Sequence, residues 1–341
     1  MSRKWQVLAG ILIVLVLAMS LALGCAPSAP TKQEWRLAQV HPVGSDHDLR
    51  MVAFADEVRD KTDGRIDITV YSGGTLGDWV ENNEMVMRGA LEMACVPTSP
   101  DYDPRLNIAY YLPYVATSYA DARKIYTPGG LIYELSAPMF EGIGSHNLGF
   151  LPIGMSGCTL RDVPPSPGDP YVPKNMKIRV MPLKLCEATW ESLGYIPTAI
   201  PYAEAYTAIA TGIVDGEMGG PPYQGYQFRD IQGCWIQYNE FVEQWCWIIN
   251  KDLWDGLSDA DRKVIADAAN TQIMGRWDYI EEEDEKYRDE MEDFGLEIIM
   301  LTNAELAKCA GKVREETWPV MEAIVGRAIM DEIYSALGIG R

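Results

Sequence analysis

The sequence is poor in histidine and in basic residues, and both shortages limit what the protein can do. It has three histidines and neither an HExxH pattern nor a CxxC pair, which excludes the common histidine-rich and cysteine-rich metal sites. Lysine and arginine number 29 against 49 acidic residues, giving a formal net charge of -20. No basic block follows the first four residues, so the phosphate-binding surface of a nucleic-acid-binding protein is missing. We therefore predict no metal, no cofactor and no nucleic-acid partner.

The first residues have the composition of an export signal. Two basic residues precede an almost unbroken apolar run, and no acidic residue occurs before Glu34. Cys25 follows a small residue, as in bacterial lipoprotein signals, which predicts lipidation of its thiol. Ordinary cleavage and an uncleaved anchor are the alternatives, because Ala22 stands where such signals usually have leucine. We assign residues 1–24 to the signal and 25–33 to a tether, which places the folded part outside the cytoplasmic membrane.

Signatures of catalysis are missing as well. The sequence has no Walker A lysine motif and no GxGxxG loop for holding phosphates. The run from Gly154 to Cys158 approaches the nucleophile elbow of serine hydrolases, but its fifth residue is cysteine where the strained turn needs glycine. Paired carboxylates for cleaving glycosides cannot be recognised by spacing, because such partners meet only in the fold. The sequence predicts a protein that is not an enzyme, with an exported hydrolase of glycans or esters as the alternative.

Six cysteines follow Cys25, and two interpretations of them are equally favoured. Export permits disulfides, but the sequence selects no particular pairing among six thiols. Buried free thiols are the other interpretation, because a domain of about 300 residues buries enough surface to do without disulfides. The six are Cys95, Cys158, Cys186, Cys234, Cys246 and Cys309.

From Trp35 onward, apolar positions switch repeatedly between strand and helix periodicity. This pattern is typical of α/β folds with parallel or mixed sheets. The first hundred residues predict repeated βα units, and residues 176–217 predict a second βαβαβ block. A proline-rich stretch at residues 163–173 predicts an extended loop. Beyond it, a capping sequence at residues 257–261 opens a long amphipathic helix that reaches about Phe294.

A series of short motifs gives the sequence a more specific character. They are Phe54 to Ile66, Gly73 to Gly77, Leu112 to Tyr114, Met176 to Val180, Pro201 to Glu217 and Ile249 to Leu257. Each motif alone is weakly specific, but their order and spacing extend over nearly the whole mature chain. Together they resemble the DctP-type family, the substrate-binding proteins of TRAP transporters.

The resemblance implies a fold and a function. The expected fold is a two-lobed α/β clamshell of the periplasmic-binding-protein type, with mixed sheets, crossing hinge strands and a long helix spanning both lobes. Lobe 1 is expected to comprise residues 34–154 and about 242–280, and lobe 2 residues 155–241 and about 281–341. The expected function is a periplasmic receptor that captures a small organic acid and delivers it to a TRAP-type membrane permease. A receptor that feeds a membrane sensor would have the same fold and is a further alternative.

The resemblance also implies a residue that grips the ligand. An arginine at the position of Arg179 holds the carboxylate in this family, and a planar guanidinium offers two parallel N–H donors that match a carboxylate. From spacing alone, Arg179 would more often be a surface ion pair. Tyr202 matches a position where the family often has an aromatic wall, for which core packing is the alternative.

Other site residues depart from the family pattern. Glu217, Gly219 and Tyr223 lie where many members have a segment with a ligand-binding asparagine, so backbone N–H groups are expected to replace that contact here. Arg161 is displaced by two residues from the second arginine of many members, which would move its side chain by about 7 Å along a strand. These departures concern the identity of the ligand more than the function.

Overall fold

The computed structural model describes residues 32–340. The predicted signal and the predicted lipidation at Cys25 therefore lie outside the described residues. Gln33, at the end of the predicted tether, already pairs with Ile66 in a sheet. No helix in the described part of the chain is both long and apolar enough to cross a membrane.

Eleven strands and twelve α-helices alternate along residues 32–340. The strands are β1 (Gln33–Gln39), β2 (Ile66–Tyr71), β3 (Met93–Pro97), β4 (Ser145–Met155), β5 (Cys158–Leu160), β6 (Lys177–Val180), β7 (Ile196–Ala199), β8 (Gly216–Met218), β9 (Cys234–Gln237), β10 (Val242–Asn250) and β11 (Glu297–Met300). The helices are α1 (Asp46–Lys61), α2 (Trp79–Met87), α3 (Asn107–Tyr110), α4 (Tyr119–Tyr126), α5 (Leu131–Gly142), α6 (Lys184–Ser192), α7 (Tyr202–Ala210), α8 (Pro222–Gln227), α9 (Lys251–Asp255), α10 (Asp259–Phe294), α11 (Asn303–Val325) and α12 (Arg327–Leu337).

The strands form two mixed sheets, which confirms the predicted fold class. The first sheet has the order β2-β1-β3-β10-β4, and the second has the order β11-β9-β5-β8-β6-β7. In the first sheet β10 runs antiparallel to both β3 and β4, while β1 runs parallel to its neighbours. The chain leaves the first sheet between β4 and β5 and returns between β9 and β10. We call the first sheet with its helices the first lobe, and the second sheet with its helices the second lobe.

Local chemistry sets the ends of the main helices. Asp78 and Glu81 form a capping box at the start of α2, in which each side chain accepts a hydrogen bond from the other residue's backbone N–H. At the start of α10, the side chain of Ser258 accepts from the backbone N–H of Asp261. Gly295 ends α10 with φ 112°, a left-handed conformation that favours glycine.

Helix α10 is 36 residues long and packs against elements of both lobes, including β4 and β11. Two of its buried side chains fasten it to the end of β4. Arg276 donates from Nε to the Pro152 carbonyl at 3.2 Å and from Nη2 to the Ile153 carbonyl at 3.2 Å. Asp284 accepts from the backbone N–H of Met155 at 2.9 Å, and burial raises the pKa of its carboxyl to about 7. The helix is thus held where the chain passes from one lobe to the other.

All six cysteines of the described chain are free thiols and all are buried, so the structure favours the second of the two interpretations. Burial raises the pKa of each thiol, because it disfavours the thiolate. We expect an alkylating reagent to label none of these six thiols in the native protein and all six in denaturant, also without a reducing agent. Mass spectrometry of the labelled chain would measure this, and native labelling at one thiol or protection in denaturant would contradict it.

Candidate functional site

A cavity of about 390 Å³ lies between the two lobes; we call it the interlobe cavity. Its first-lobe wall includes residues that follow β1, the end of β3, and part of β10. Its second-lobe wall includes the ends of β6 and β8 and the starts of α7 and α8. Ligands of open α/β sheets bind at such carboxyl ends of strands. Six aromatic side chains line the cavity: Trp79, Tyr110, Tyr202, Tyr223, Phe241 and Trp245.

Arg179 on β6 is the charged donor of this cavity. Its side chain is only 3% exposed, and Nε donates to the Ile200 carbonyl at 2.8 Å. Nη1 lies 3.3 Å from Oε2 of Glu217, which is its partner in the β6–β8 register. Within residues 32–340, Nη2 makes no hydrogen bond of normal geometry. The guanidinium carbon lies 5.5 Å from the centre of the Tyr202 ring, within range of a cation–π contact.

Glu217 is completely buried behind Arg179. Its Oε2 faces the guanidinium, and its Oε1 accepts from Nε2 of Gln224 at 3.3 Å. Burial raises the pKa of Glu217 to about 7, and the neighbouring guanidinium offsets only part of this effect. Burial thus disfavours the ionised form of Glu217, whereas Arg179 favours it.

Three consecutive residues of β10, Glu243, Gln244 and Trp245, line the opposite wall. The pairing of β10 with β4 is irregular here, since it passes from Gly154 to Pro152 between Glu243 and Gln244. Such irregularities increase the local twist and redirect side chains. The indole Nε1 of Trp245 donates to Oε1 of Glu243 at 3.1 Å, and burial raises the pKa of the Glu243 carboxyl.

A stack of rings closes the cavity next to β10. His41 lies between His47 and Trp245, with ring centres 4.0 Å and 4.2 Å away. Burial lowers the pKa of His41 to about 4 and the pKa of His47 well below its usual value, so both imidazoles are neutral at physiological pH. Within residues 32–340, no group of three or more histidine, cysteine or acidic residues is placed to hold a metal ion.

The structure brings most of the predicted site residues together. Arg179, Tyr202, Gly219 and Tyr223 line the interlobe cavity. The expectation that the backbone N–H of Gly219 would contact the ligand is wrong, however, because it donates to the Gly157 carbonyl at 2.7 Å. Glu217 does not line it directly but contacts Arg179 from behind.

Arg161 lies elsewhere, and this corrects its assignment to the ligand. It follows the last residue of β5, and its backbone N–H bonds the Asp215 carbonyl, which turns the side chain toward α7. There Nη2 donates to the Ile209 carbonyl at 2.7 Å, beside a separate shallow pocket. Arg161 is thus held by the second lobe and does not reach the interlobe cavity.

Sequence reasoning missed the contribution of β10. Glu243 and Gln244 interrupt an apolar run at residues 241–249, and no motif marks them. Residues 223–247 are rich in aromatic side chains, which suit a bulky or aromatic ligand and core packing equally well. The usable signal was this pair of polar residues inside a strand-like apolar run.

Comparison with known proteins agrees with this geometry. The model of the family DctP, described as bacterial extracellular solute-binding protein, family 7, matches residues 37–322. The chain is 27% identical over 264 residues to the ectoine-binding periplasmic protein TeaA of Halomonas elongata, covering 74% of this chain and 73% of that protein. It is 28% identical over 250 residues to the C4-dicarboxylate-binding periplasmic protein DctP of Rhodobacter capsulatus, covering 70% and 72%.

Solved structures have the same fold. A TRAP periplasmic solute-binding protein from Desulfovibrio salexigens, with bound orotic acid, superposes with a TM-score of 0.78 at 20% identity, covering 90% of this chain and 98% of that chain. A TRAP periplasmic solute-binding protein from Sulfitobacter sp. NAS-14.1, with bound β-D-galacturonate, gives a TM-score of 0.73 at 22% identity, covering 89% and 98%. The two-lobed architecture is therefore shared with periplasmic solute-binding proteins.

Proposed function

The chain belongs to the bacterial extracellular solute-binding protein family 7, and on that basis we propose that it captures a small organic acid in the interlobe cavity. Members of this family are extracytoplasmic receptors of TRAP transporters, and such receptors are not enzymes. They bind small ligands and work with membrane permease subunits. We propose that the closed, ligand-bound form of this protein delivers its ligand to such a permease.

The free Nη2 of Arg179 is the observation that carries this proposal. Two of the three guanidinium nitrogens already face Ile200 and Glu217, so the side chain is held in one orientation. The remaining N–H donors are left for a ligand carboxylate. Inside a closed cavity with little water, a hydrogen bond between two charged groups is stronger than at the surface. Orotic acid and galacturonate, the ligands of two proteins with this fold, both carry a carboxylate.

Aromatic walls and lobe closure complete the proposed mechanism. Flat aromatic faces select the shape of the ligand without supplying charge, and rotation of the lobes about their crossing strands buries it. We propose that the protein works in the periplasm, held at the membrane through a lipidated Cys25 or an uncleaved N-terminal segment. This arrangement would keep the receptor close to its permease.

A screen of matched compounds tests the proposal. We expect orotate, uronates, aldonates, keto acids, dicarboxylates and amino acids to include compounds that raise the melting temperature of the purified protein. At 100 times its dissociation constant a ligand adds about 2.7 kcal/mol to the free energy of unfolding, which corresponds to several degrees. Each active acid is then compared with its carboxamide by calorimetric titration. Carboxamides that bind as tightly as the acids would contradict a site built for a carboxylate.

A further inference from the structure

Two carboxyl or amide oxygens at the interlobe cavity are acceptors without a partner in the described chain. Glu243 uses Oε1 to accept from Trp245, and within the described chain its Oε2 has no hydrogen-bond partner. This oxygen lies next to Gly220, because a Cβ built on that glycine would be 2.5 Å from it. The same Cβ would be 2.6 Å from Oε1 of Gln224, so the two oxygens converge on one part of the wall.

The orientation of the two glutamines is fixed by their other contacts. Gln224 donates from Nε2 to Oε1 of Glu217 at 3.3 Å, which turns its own Oε1 away from that carboxyl group. Gln244 is 2% exposed and donates from Nε2 to the Ala109 carbonyl, which leaves its Oε1 buried without a partner among residues 32–340. This oxygen has almost no accessible surface, so it is not an acceptor that a ligand in the cavity can reach.

The charged residues around the interlobe cavity also favour a ligand that carries a cationic group. Among residues 32–340, Arg179 is the single cationic side chain that lines the cavity, and Glu217 already balances part of its charge. Glu243 adds a further acidic group at the wall. A ligand that carries only negative charge would bring a third acidic group into an enclosed space with one cation, which is unfavourable away from water. A cationic group on the ligand would remove this excess, and the aromatic walls attract cations through their ring faces.

We propose, resting on the proposed function, that the ligand is a zwitterion whose carboxylate binds Arg179 and whose protonated nitrogen group faces Glu243 and Gln224. A protonated amine, amidine or guanidine carries several N–H donors, which match the free Oε2 of Glu243 and the free Oε1 of Gln224. Polyhydroxy acids also carry donors, but each hydroxyl is neutral and does not stabilise the ionised form of Glu243, whose pKa burial raises. Glu243 is therefore assigned as a specificity-determining residue.

Isosteric pairs of carboxylates test this assignment. The probes are 4-guanidinobutanoate with 4-ureidobutanoate, 4-(aminomethyl)benzoate with 4-(hydroxymethyl)benzoate, and ω-amino acids of two to six carbons with the matching alkanoates. We expect the cationic member of at least one pair to bind at least roughly tenfold more tightly, as a hydrogen bond between charged groups implies. Glu243→Gln should bring that ratio close to one by weakening the cationic member.

Two further variants keep the result interpretable. Glu240→Gln makes the same acid-to-amide change three residues away, outside the cavity lining, and should leave the ratio unchanged. Gly220→Ala places a methyl group against Glu243 Oε2 and Gln224 Oε1, and should lower the ratio while the charge of the chain stays the same. The Gly220→Ala variant therefore tests the role of Glu243 even if Glu243→Gln fails to fold.

The outcomes separate this inference from the proposed function. If carboxylates bind but the cationic and neutral members bind equally, or if only polyhydroxy acids and dicarboxylates bind, the zwitterion is overturned and the carboxylate receptor stands. If no carboxylate of either series binds, both proposals fail. A ratio that persists in Glu243→Gln would also overturn the role of Glu243.

Discussion

Arg179→Lys is expected to weaken the binding of any carboxylate ligand by roughly 100-fold, which corresponds to about 2.7 kcal/mol. Lysine keeps the charge but has a single ammonium in place of a planar fork, so it cannot contact Ile200, Glu217 and the ligand in the same geometry. The loss of one or two charged hydrogen bonds is of this size. Isothermal titration with an active acid would measure the change.

Arg161→Lys is the matched control for this prediction. It makes the same substitution in an arginine of the same lobe that lies outside the interlobe cavity. We expect its affinity for the ligand to stay within about twofold of the unmodified protein, since no contact to the ligand is changed. If Arg179→Lys bound as tightly as Arg161→Lys, the carboxylate would have to bind elsewhere.

Glu240→Gln is expected to stabilise the protein at pH 8 by about 2 to 4 kcal/mol, yet to change its stability little at pH 5. Glu240 is completely buried between β9 and β10, and within residues 32–340 its carboxyl oxygens have no hydrogen-bond partner of normal geometry. Burial raises the pKa of this carboxyl to about 8, and the nearby Ser156 hydroxyl offsets only part of the rise. Glutamine has the same shape and never has to lose a proton.

The direction of this effect follows from proton binding. Between the ordinary pKa of a glutamate, near 4.5, and the raised value of about 8, the folded state holds a proton that the unfolded state has released. The free energy of unfolding therefore falls as the pH rises through this range, by up to about 1.4 kcal/mol for each pH unit. Urea unfolding at pH 5 and pH 8 would measure it. Equal pH dependence of the two proteins would show that Glu240 does not cause the effect, since Glu217 and Asp284 act in the same direction in both.

Much of the fold follows from local pattern. The βα units predicted in the first hundred residues and the predicted end of the long helix at Phe294 agree with the structure, because periodicity and capping chemistry are local properties. The predicted βαβαβ block at residues 176–217 ends inside β8, which begins at Gly216 and ends at Met218, while Val214 just before it packs in a small core. Strands this short are fixed by their neighbours in the sheet, and no single segment contains that information.

The site was less accessible from sequence, and the reason is physical. Arg179 was assigned through a resemblance, because nothing local distinguishes a buried arginine from a surface one. Its pairing with Glu217 depends on the register of β6 against β8, two strands that are distant in sequence. The role of Glu243 depends on an irregular ladder with β4 and on which oxygen Trp245 occupies. These relations exist only after the two lobes have formed.

The attachment of α10 through Arg276 and Asp284 has a mechanical consequence. Arg276 lies halfway along the 36 residues of the helix, so a rod of about 54 Å is fixed near its centre and extends about 27 Å to either side. If the helix tilted as a rigid rod, it would pivot about this attachment at the end of β4. A tilt of about 10° there would move the two tips by roughly 5 Å in opposite directions, by the same helix dimensions. A small rearrangement at the centre of the molecule would thus be magnified at its periphery, where a membrane partner can detect it.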